Sequence, residues 1–479
     1  MTSPSIAVQN YIGGRRSDTE SRFVMTSPFS TYSEPYRFSV ELPNSTTREI
    51  ESALGHGKNY RRRKIDPSTL LDVISSAGES LPIEESEIAY AVKLTGLPTK
   101  VVRANLMGIR DYMKHFGNII RQRYTVGENG VQRHLTNGSV ELRVPIDDSV
   151  VGYLPFGDLF PPIFVISHSL ISGRDVLVRP SSSMAYFSVK LAEQLTEVAR
   201  KMGGDLSGGI NTVIWKSDDQ SRQTNSEMIN LETTPESRLG FGNSATLKAL
   251  GVGIAYDRGS CKAIVDEGAD IKQSAKSVAD GALENPLACD ATRLVWVHSS
   301  VAREFEEALK EEFAKRKVGD PLEHDTDIGF VDFNDLQKTL NLVTDNARWG
   351  SEKLLYPEVD IPKIRVGEYQ GLPIILRLYN LESPLVRGDR NVYMLHVRHF
   401  DSLDRAVQEI SSPWLPHPLT VSYYGPEDKK GKEHTLELAR RLPASHVNVG
   451  KNTRVHDLAL PHQGKYPFEI WTNPISISS

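Results

Sequence analysis

The stretch Asn285-Pro286-Leu287-Ala288-Cys289-Asp290-Ala291-Thr292-Arg293-Leu294-Val295-Trp296-Val297 joins a short polar turn to a run of β-branched and apolar residues. The run from Leu294 to Val297 has the texture of a buried strand, so Cys289 is expected at the mouth of a sheet, held rigidly. A thiol in such a place attacks a carbonyl when its surroundings stabilise the thiolate. An isolated cysteine there is also compatible with a small buried apolar residue. The remainder of the chain has to decide between the two.

Before this stretch, strand and helix patterns alternate. Strand signals lie at Val150 to Leu154, Asp175 to Val178, Thr212 to Trp215, Arg238 to Phe241 and Gly253 to Asp257, with helical patterns between them. That order predicts a doubly wound parallel sheet covered on both faces. Loops at the carboxyl ends of its strands are the expected ligand sites. A second α/β unit begins near Lys262 with Ala263-Ile264-Val265 and runs through a helix from Ser274 to Leu283, the cysteine turn, and a helix from Val301 to Arg316. Further strand signals lie at Pro373 to Leu376, Val392 to Val397, Leu419 to Tyr424 and His446 to Val449.

The chain has 479 residues, enough for two or three domains with sizeable cores. Charged residues make up 24% and the net charge is −5 with both signs interspersed, which gives no reason to expect nucleic acid or an anionic membrane as partner. Two cysteines, Cys261 and Cys289, exclude a disulfide framework and a multi-cysteine zinc site. The polar N-terminus lacks the pattern of a secretory signal. No window approaches the roughly 18 apolar residues of a membrane span. A soluble, cytoplasmic protein is expected.

Toward the N-terminus, Thr46-Thr47-Arg48-Glu49 has capping-box spacing and opens a helix to about Tyr60, closed by Arg61-Arg62-Arg63-Lys64. Helical spacing runs from Pro67 to about Phe116, broken at Gly96-Leu97-Pro98. The residues from Gln132 to Val144 then read as two alternating strands about an Asn137-Gly138 turn. Such a ribbon has little to pack on in a helical neighbourhood, so it is expected to project and pair with another subunit. The alternating tail from Phe468 to Ile477 is a candidate last strand.

The order of features resembles the aldehyde dehydrogenase superfamily over nearly the whole chain. The resemblance runs through Tyr11-Ile12-Gly13-Gly14, Leu94-Thr95-Gly96-Leu97-Pro98, Val151-Gly152-Tyr153-Leu154-Pro155-Phe156, the run from Ile171 to Ser181, Phe241-Gly242-Asn243-Ser244, and Ala288-Cys289-Asp290-Ala291-Thr292-Arg293. The runs Gly259-Ser260-Cys261-Lys262 and Asn391 to Val397 are most similar to the acyl-thioester reductases, the acyl-CoA and fatty-acyl reductases typified by the enzyme of bacterial bioluminescence. The resemblance implies an α/β fold with a Rossmann-type cofactor domain (1–130 and 147–258), an α/β catalytic domain carrying Cys289 (259–445), and a β oligomerisation arm with a C-terminal strand (131–146 and 446–479). A homodimer or homotetramer is implied by that arm.

The resemblance gives Cys289 the role of nucleophile, adding to an acyl carbonyl whose oxyanion needs preorganised donors. The superfamily usually supplies an asparagine in the loop after the first Rossmann strand. This loop is Pro155-Phe156-Gly157-Asp158-Leu159-Phe160, so the candidates are the Gly157 backbone and Asp158, although a carboxylate repels an oxyanion. The glutamate that activates hydrolytic water in the oxidising enzymes is replaced by Tyr256, with Asp257 beside it. A tyrosine of pKa about 10 is a poor base at neutral pH. Tyr256 and Asp257 also read simply as the end of a strand.

For the cofactor, the resemblance points to Pro155 and to Val178-Arg179-Pro180-Ser181-Ser182. Arg179 with Ser181 and Ser182 suits a ribose 2′-phosphate, which favours NADP over NAD. Phe241, Gly242, Asn243 and Ser244, before a helix, fit a pyrophosphate neighbour. Asp389 is the nearest acid for the nicotinamide ribose. His396, His399, His417, His456 and His462 lack metal spacing, and no metal is expected. His456 and His462 fall where the family lines its acyl tunnel. Cys261 is the rival thiol, whose pKa Lys262 is placed to depress. The apolar loop Leu159 to Phe164 is compatible with a hydrophobic substrate.

The expected function is NADPH-dependent reduction of an acyl thioester, of coenzyme A or an acyl carrier protein, to the aldehyde through a Cys289 acyl-enzyme. The alternatives are NAD(P)-dependent oxidation of an aldehyde to the acid, and a catalytically weak cofactor-binding relative.

Overall fold

The computed structural model describes residues 6–31, 34–61, 65–127, 130–134, 139–257, 260–348, 350, 352–357, 371–387, 391–455 and 467–477. Arg62 to Lys64, the Asn137-Gly138 turn, Gly259, Asp389, His456 and His462 lie outside them. The chain divides into two compact units. One holds the described residues of Met1–Leu94, Arg103–Asp257 and Leu458–Ser479, the other those of Thr95–Val102 and Arg258–Asp457.

In the first unit a seven-stranded sheet runs in the order Ile254–Asp257, Arg238–Gly242, Val150–Tyr153, Val176–Arg179, Ile210–Thr212, Asn10–Ile12, Arg15–Ser17. The first five are parallel, and the last two are added antiparallel. Val150–Tyr153 comes first of the five in the chain. Its two successors lie on one side, and the chain then crosses to lay Arg238–Gly242 on the other. The carboxyl ends of Val150–Tyr153 and Arg238–Gly242 therefore flank the switch point of the sheet, where doubly wound folds open a ligand crevice.

The crossover after the central strand is the helix Pro161–Ile171, whose residues are all buried. It carries no Asp, Glu, Lys or Arg, and the hydroxyls of its polar residues Ser167 and Ser169 are hydrogen-bonded to backbone carbonyls, as a helix enclosed on every side requires. The stretch from Leu159 to Phe164, expected as an apolar loop open to substrate, thus runs into this buried helix. Phe164 packs edge-on to His168, and Phe160 edge-on to Tyr112. Burial of side chains of this size stabilises by about 1.5–3 kcal/mol each, which explains why they turn inward.

Also in this unit, Gly130–His134 and Val140–Pro145 pair antiparallel, from Val131 opposite Arg143 to His134 opposite Val140. Thr472–Ile477 joins the same sheet, antiparallel to Val140–Pro145, so the tail strand lies on the ribbon of its own chain. The short helix Pro467–Ile470 precedes it.

The second unit is built on a sheet in the order Glu352–Tyr356, Ile374–Leu378, Met394–Phe400, Thr292–His298, Cys261–Val265, Thr420–Tyr424, His446–Val449. All neighbours are parallel except the first pair. His446–Val449, assigned to the arm from the sequence, is instead the edge strand of this sheet, because Thr420 to Tyr423 take its residues as ladder partners. The core beneath includes Val295, Val297, Phe305, Leu309, Phe313 and Leu395, all buried. Among the described residues, no helix is long and apolar enough to cross a membrane.

Candidate active site

Cys289 lies between the helix Ile271–Leu283 and the strand Thr292–His298, at the amino end of the second sheet, and is half-buried. The helix approaches the strand closely: a Cβ on Gly281 would come within 2.4 Å of Thr292 Oγ1, so a larger residue would push the turn out. Asn285 starts the turn, its Oδ1 accepting from Leu287 N at 2.9 Å and its carbonyl from Ala288 N at 3.3 Å.

Three main-chain carbonyls of the turn are each tied to the unit around it. Arg293 donates to Pro286 O and, at 3.4 Å, to Val392 O. Cys261 Sγ donates to Cys289 O at 3.5 Å. Thr453 Oγ1 donates to Asp290 O at 2.6 Å and sits 2.8 Å from Thr292 Oγ1. Arg454 then bridges the flanks, with Nη1 3.0 Å from Asp290 Oδ1 and Nε 3.2 Å from Glu284 Oε2. A nucleophile held by such a shell is preorganised, which is what attack on a carbonyl requires. Thr453 and Arg454 have no local signal in the sequence, since they reach the turn only through the fold.

Cys261 is fully buried, and burial, with Asp290 adding to it, pushes its thiol up to about 12. The expectation that Lys262 would activate it does not hold. Burial overwhelms the charge, and the Lys262 ammonium is instead tied to Ser260 O at 3.0 Å and Pro416 O at 2.6 Å. Lys262 is itself pulled down to about 7 by burial. Cys289 is therefore the thiol suited to reaction. Of the histidines, His399 bonds Glu306 at 2.7 Å and His396 lies buried 3.8 Å from Glu352. Among the described residues no group of three His, Cys, Asp or Glu could hold a metal ion.

In the first unit, the residues expected at the cofactor gather at the carboxyl end of the parallel strands. Pro155 follows Val150–Tyr153, and its carbonyl accepts from Ser181 Oγ at 2.7 Å. Gly242 closes Arg238–Gly242 with φ 140°, and a Cβ there would meet nothing within 4 Å, so the backbone is open to close approach at the switch point. Gly152 and Gly240 have the opposite surroundings: a Cβ would come within 2.9 Å of Val165 and 2.5 Å of Leu247. Glycines that let helices press on the strands while exposing backbone at their ends suit a dinucleotide. NAD(P), when bound, would supply the hydride carrier. The half-buried Arg179 lies with Cζ 5.2 Å from the Trp215 ring and donates to Trp215 O and to Ser217 Oγ. Ser182 opens a short 3-10 helix after the same strand.

Asn243 turns its side chain inward, Oδ1 accepting from Ala245 N at 2.9 Å and Thr246 N at 3.4 Å. It therefore caps the six-residue helix Ser244–Ala249 itself, and those N–H groups are already engaged. Gly157 takes the left-handed conformation, φ 79°, and Asp158 Oδ1 accepts from Phe160 N at 3.0 Å. Asp158 thus shapes the entry to the buried helix. Tyr256 is buried and stacked on Phe241, ring centroids 5.0 Å apart, and burial drives its phenol far above its ordinary pKa. A buried phenol of that kind is no general base at neutral pH. Asp257 ends the strand beside it, its backbone opposite Gly242.

A cavity of about 860 Å³ opens at the other end of the second sheet, against Gly268, Tyr424, Gly425, Lys432 and Val449. These residues follow or end the strands whose amino ends lie toward Cys289, so the cavity is separated from the thiol by the length of the sheet.

Solved structures share this fold. The NADP-dependent glyceraldehyde-3-phosphate dehydrogenase of Bacillus halodurans, solved with NADP, superposes with a TM-score of 0.77 over 98% of this chain and 99% of that one, at 16% identity. The chain has the aldehyde dehydrogenase fold. Residues 254–412 match the aldehyde dehydrogenase family model, a segment that contains Cys289. The 3-sulfolactaldehyde dehydrogenase of Priestia aryabhattai is 20% identical over 78% of this chain and 77% of its own length. A gamma-glutamyl phosphate reductase of Francisella philomiragia is 26% identical over 58% of this chain and 63% of its own. The chain is thus similar to aldehyde dehydrogenases in fold over nearly its whole length, and in sequence over the segment that carries Cys289.

Proposed function

We propose that the protein oxidises an aldehyde to its acid with NAD(P)⁺, with Cys289 as nucleophile. The observation that carries this reading is the turn around Cys289, whose three carbonyls are pinned while the thiol stays half-buried. The named relative of greatest coverage, an aldehyde-oxidising enzyme, supports the oxidative direction over the reduction expected from the sequence.

The Cys289 thiolate adds to the aldehyde carbon, giving a tetrahedral thiohemiacetal oxyanion. NAD(P)⁺, when bound, would supply the hydride acceptor for that carbon; Cys289 is the residue that would then carry the acyl group as a thioester, from which water releases the acid and restores the thiol. Arg454, Thr453 and Cys261 hold the turn so that the sulfur does not have to reorganise during addition. Pro155, Arg179, Ser181, Ser182 and Gly242 are the residues proposed to hold the carrier, with the Arg179 guanidinium placing NADP ahead of NAD. The soluble, cytoplasmic setting and the dimer or tetramer assembled through the arm belong to the same proposal.

Tyr256 favours a second reading. Its buried, stacked phenol cannot activate water, and an activated acyl group that leaves by hydride reduction needs no such base. A relative named as a reductase of an acyl phosphate is consistent with that direction. In it, Cys289 accepts the acyl group from a thioester or acyl phosphate and releases an aldehyde.

The test is reduced-nicotinamide absorbance, followed with aldehydes and NAD(P)⁺ and, separately, with NADPH and acyl-CoA, acyl-carrier and acyl-phosphate donors. Aldehyde-dependent reduction of NAD(P)⁺, abolished in Cys289→Ala, is expected. Turnover only with acyl donors would replace the oxidative reading with the reductive one. Silence in both directions, with cofactor bound, would leave a catalytically weak cofactor-binding relative.

A further inference from the structure

We propose that Cys261 is a positioning residue for Cys289, its sulfur clamping the Cys289 carbonyl to the first residue of the strand Thr420–Tyr424. The inference rests on the reading of Cys289 as nucleophile.

The clamp has two arms. Thr420 N donates to Cys261 Sγ at 3.3 Å, and Cys261 Sγ donates to Cys289 O at 3.5 Å. One side chain thus satisfies the amide at the start of one strand and the carbonyl of the nucleophile itself.

The sheet is irregular at this residue. Cys261 lies opposite Thr292, whereas Lys262 lies opposite Leu294, so Arg293 is skipped between them. An irregularity of this kind breaks the ladder and re-aims a side chain, and such bulges are common beside active sites. Here the strand directs Cys261 to the turn and Lys262 to Pro416 O.

The consequence for the nucleophile is geometric. Fixing the Cys289 carbonyl restrains ψ of that residue, because the peptide group is planar. The restraint limits how the Cα–Cβ bond, and with it the thiol, can swing. Burial keeps Cys261 in its S–H form, so the donor persists through neutral pH and the sulfur does not compete for the substrate.

Cys261→Ala, Cys261→Val and Cys261→Ser separate the possibilities. Alanine removes both hydrogen bonds, valine removes them while filling the space, and serine keeps a donor and an acceptor on a shorter reach. The readouts are the rate of Cys289 alkylation by iodoacetamide, with Cys289→Ala as the blank, and kcat and KM with the best aldehyde. The alanine and valine variants are expected to lose roughly tenfold in both alkylation rate and kcat with KM unchanged, and serine to recover most of the loss. Wild-type rates in folded alanine and valine variants, or a serine variant no better than alanine, would overturn the clamp. Should those variants fail to fold, hydrogen exchange in the wild type decides: a protected Thr420 amide supports the clamp, and rapid exchange there overturns it. A wild-type chain that oxidises no aldehyde would defeat the functional reading alone, because alkylation still reports on the clamp.

Discussion

Arg454 and Asp290 stand 164 positions apart in the chain and meet at 3.0 Å, one residue beyond Cys289. The same guanidinium reaches Glu284 on the other side of the turn, so one cation joins the two flanks of the loop.

Removing that cation should loosen the turn more than the fold. Arg454→Ala is expected to cost about 1.5–3 kcal/mol of stability, the range for hydrogen bonds to charged groups. It should lower kcat about tenfold or more. Arg454→Lys keeps the charge without the fork that serves two carboxylates at once, and should fall between. Steady-state kinetics and urea denaturation on the same samples measure the two effects.

Glu306 anchors a second network in the same unit. It accepts from Arg377 Nε at 2.8 Å and lies 2.7 Å from His399 Nε2. Burial alone would raise its pKa, but the hydrogen bonds from His399 and Arg377 and the Arg377 charge bring the net shift below the ordinary value. A carboxyl lowered in the fold contributes stability above its unfolded pKa of about 4.3, and that contribution disappears as pH falls through the folded value. Glu306→Gln should therefore be less stable than wild type by about 2 kcal/mol near neutrality, with the gap closing below about pH 4. Denaturation midpoints across that range provide the check.

Lys262 behaves in the opposite sense. Burial lowers its folded pKa to about 7, against about 10.4 in the unfolded chain. Between those values the unfolded chain binds more protons, so stability rises with pH. Below about 7 both states carry the proton and the slope vanishes. Wild type should gain stability from about pH 7 to about pH 10, and Lys262→Met should flatten that rise. An equal slope in both proteins would show that the ammonium is not buried as described.

Arg179 lies on the Trp215 ring at the end of a parallel strand, and burial lowers its pKa to about 10, so it stays charged at neutral pH. If it receives a 2′-phosphate, Arg179→Ala should weaken NADPH by about tenfold or more and leave NADH nearly unchanged. Quenching of Trp215 fluorescence during titration gives both affinities. Equal losses for the two would assign Arg179 to the structure of the strand end.

Local patterning made much of the architecture readable. The alternation from Val150 to Asp257 and the paired ribbon appear as strands and helices close to their expected places, except that the strand expected at Thr212 to Trp215 is Ile210–Thr212. The errors have a common origin. Leu159 to Phe164 reads as an apolar loop compatible with a hydrophobic substrate, whereas the buried helix Pro161–Ile171 begins within it. His446–Val449 reads as part of the arm because its texture does not say which sheet takes its hydrogen bonds. Lys262 beside Cys261 reads as an activating charge, and the charge does pull the thiol down, but burial outweighs it, and burial is not written in the local sequence.

What the sequence by itself determined is therefore the set of elements, because a strand's alternation and a helix's period depend on neighbours a few residues away. Sequence likewise singled out Cys289, through the turn and strand that hold it. Only the tertiary structure decided what surrounds that thiol. Thr453 and Arg454 reach the turn from one loop and Cys261 from the neighbouring strand, and their meeting with it depends on the order in which the sheet stacks its strands. Tertiary packing also decided the protonation of Cys261 and Lys262, because removal from water shifts a pKa and neither residue carries its own burial in its name.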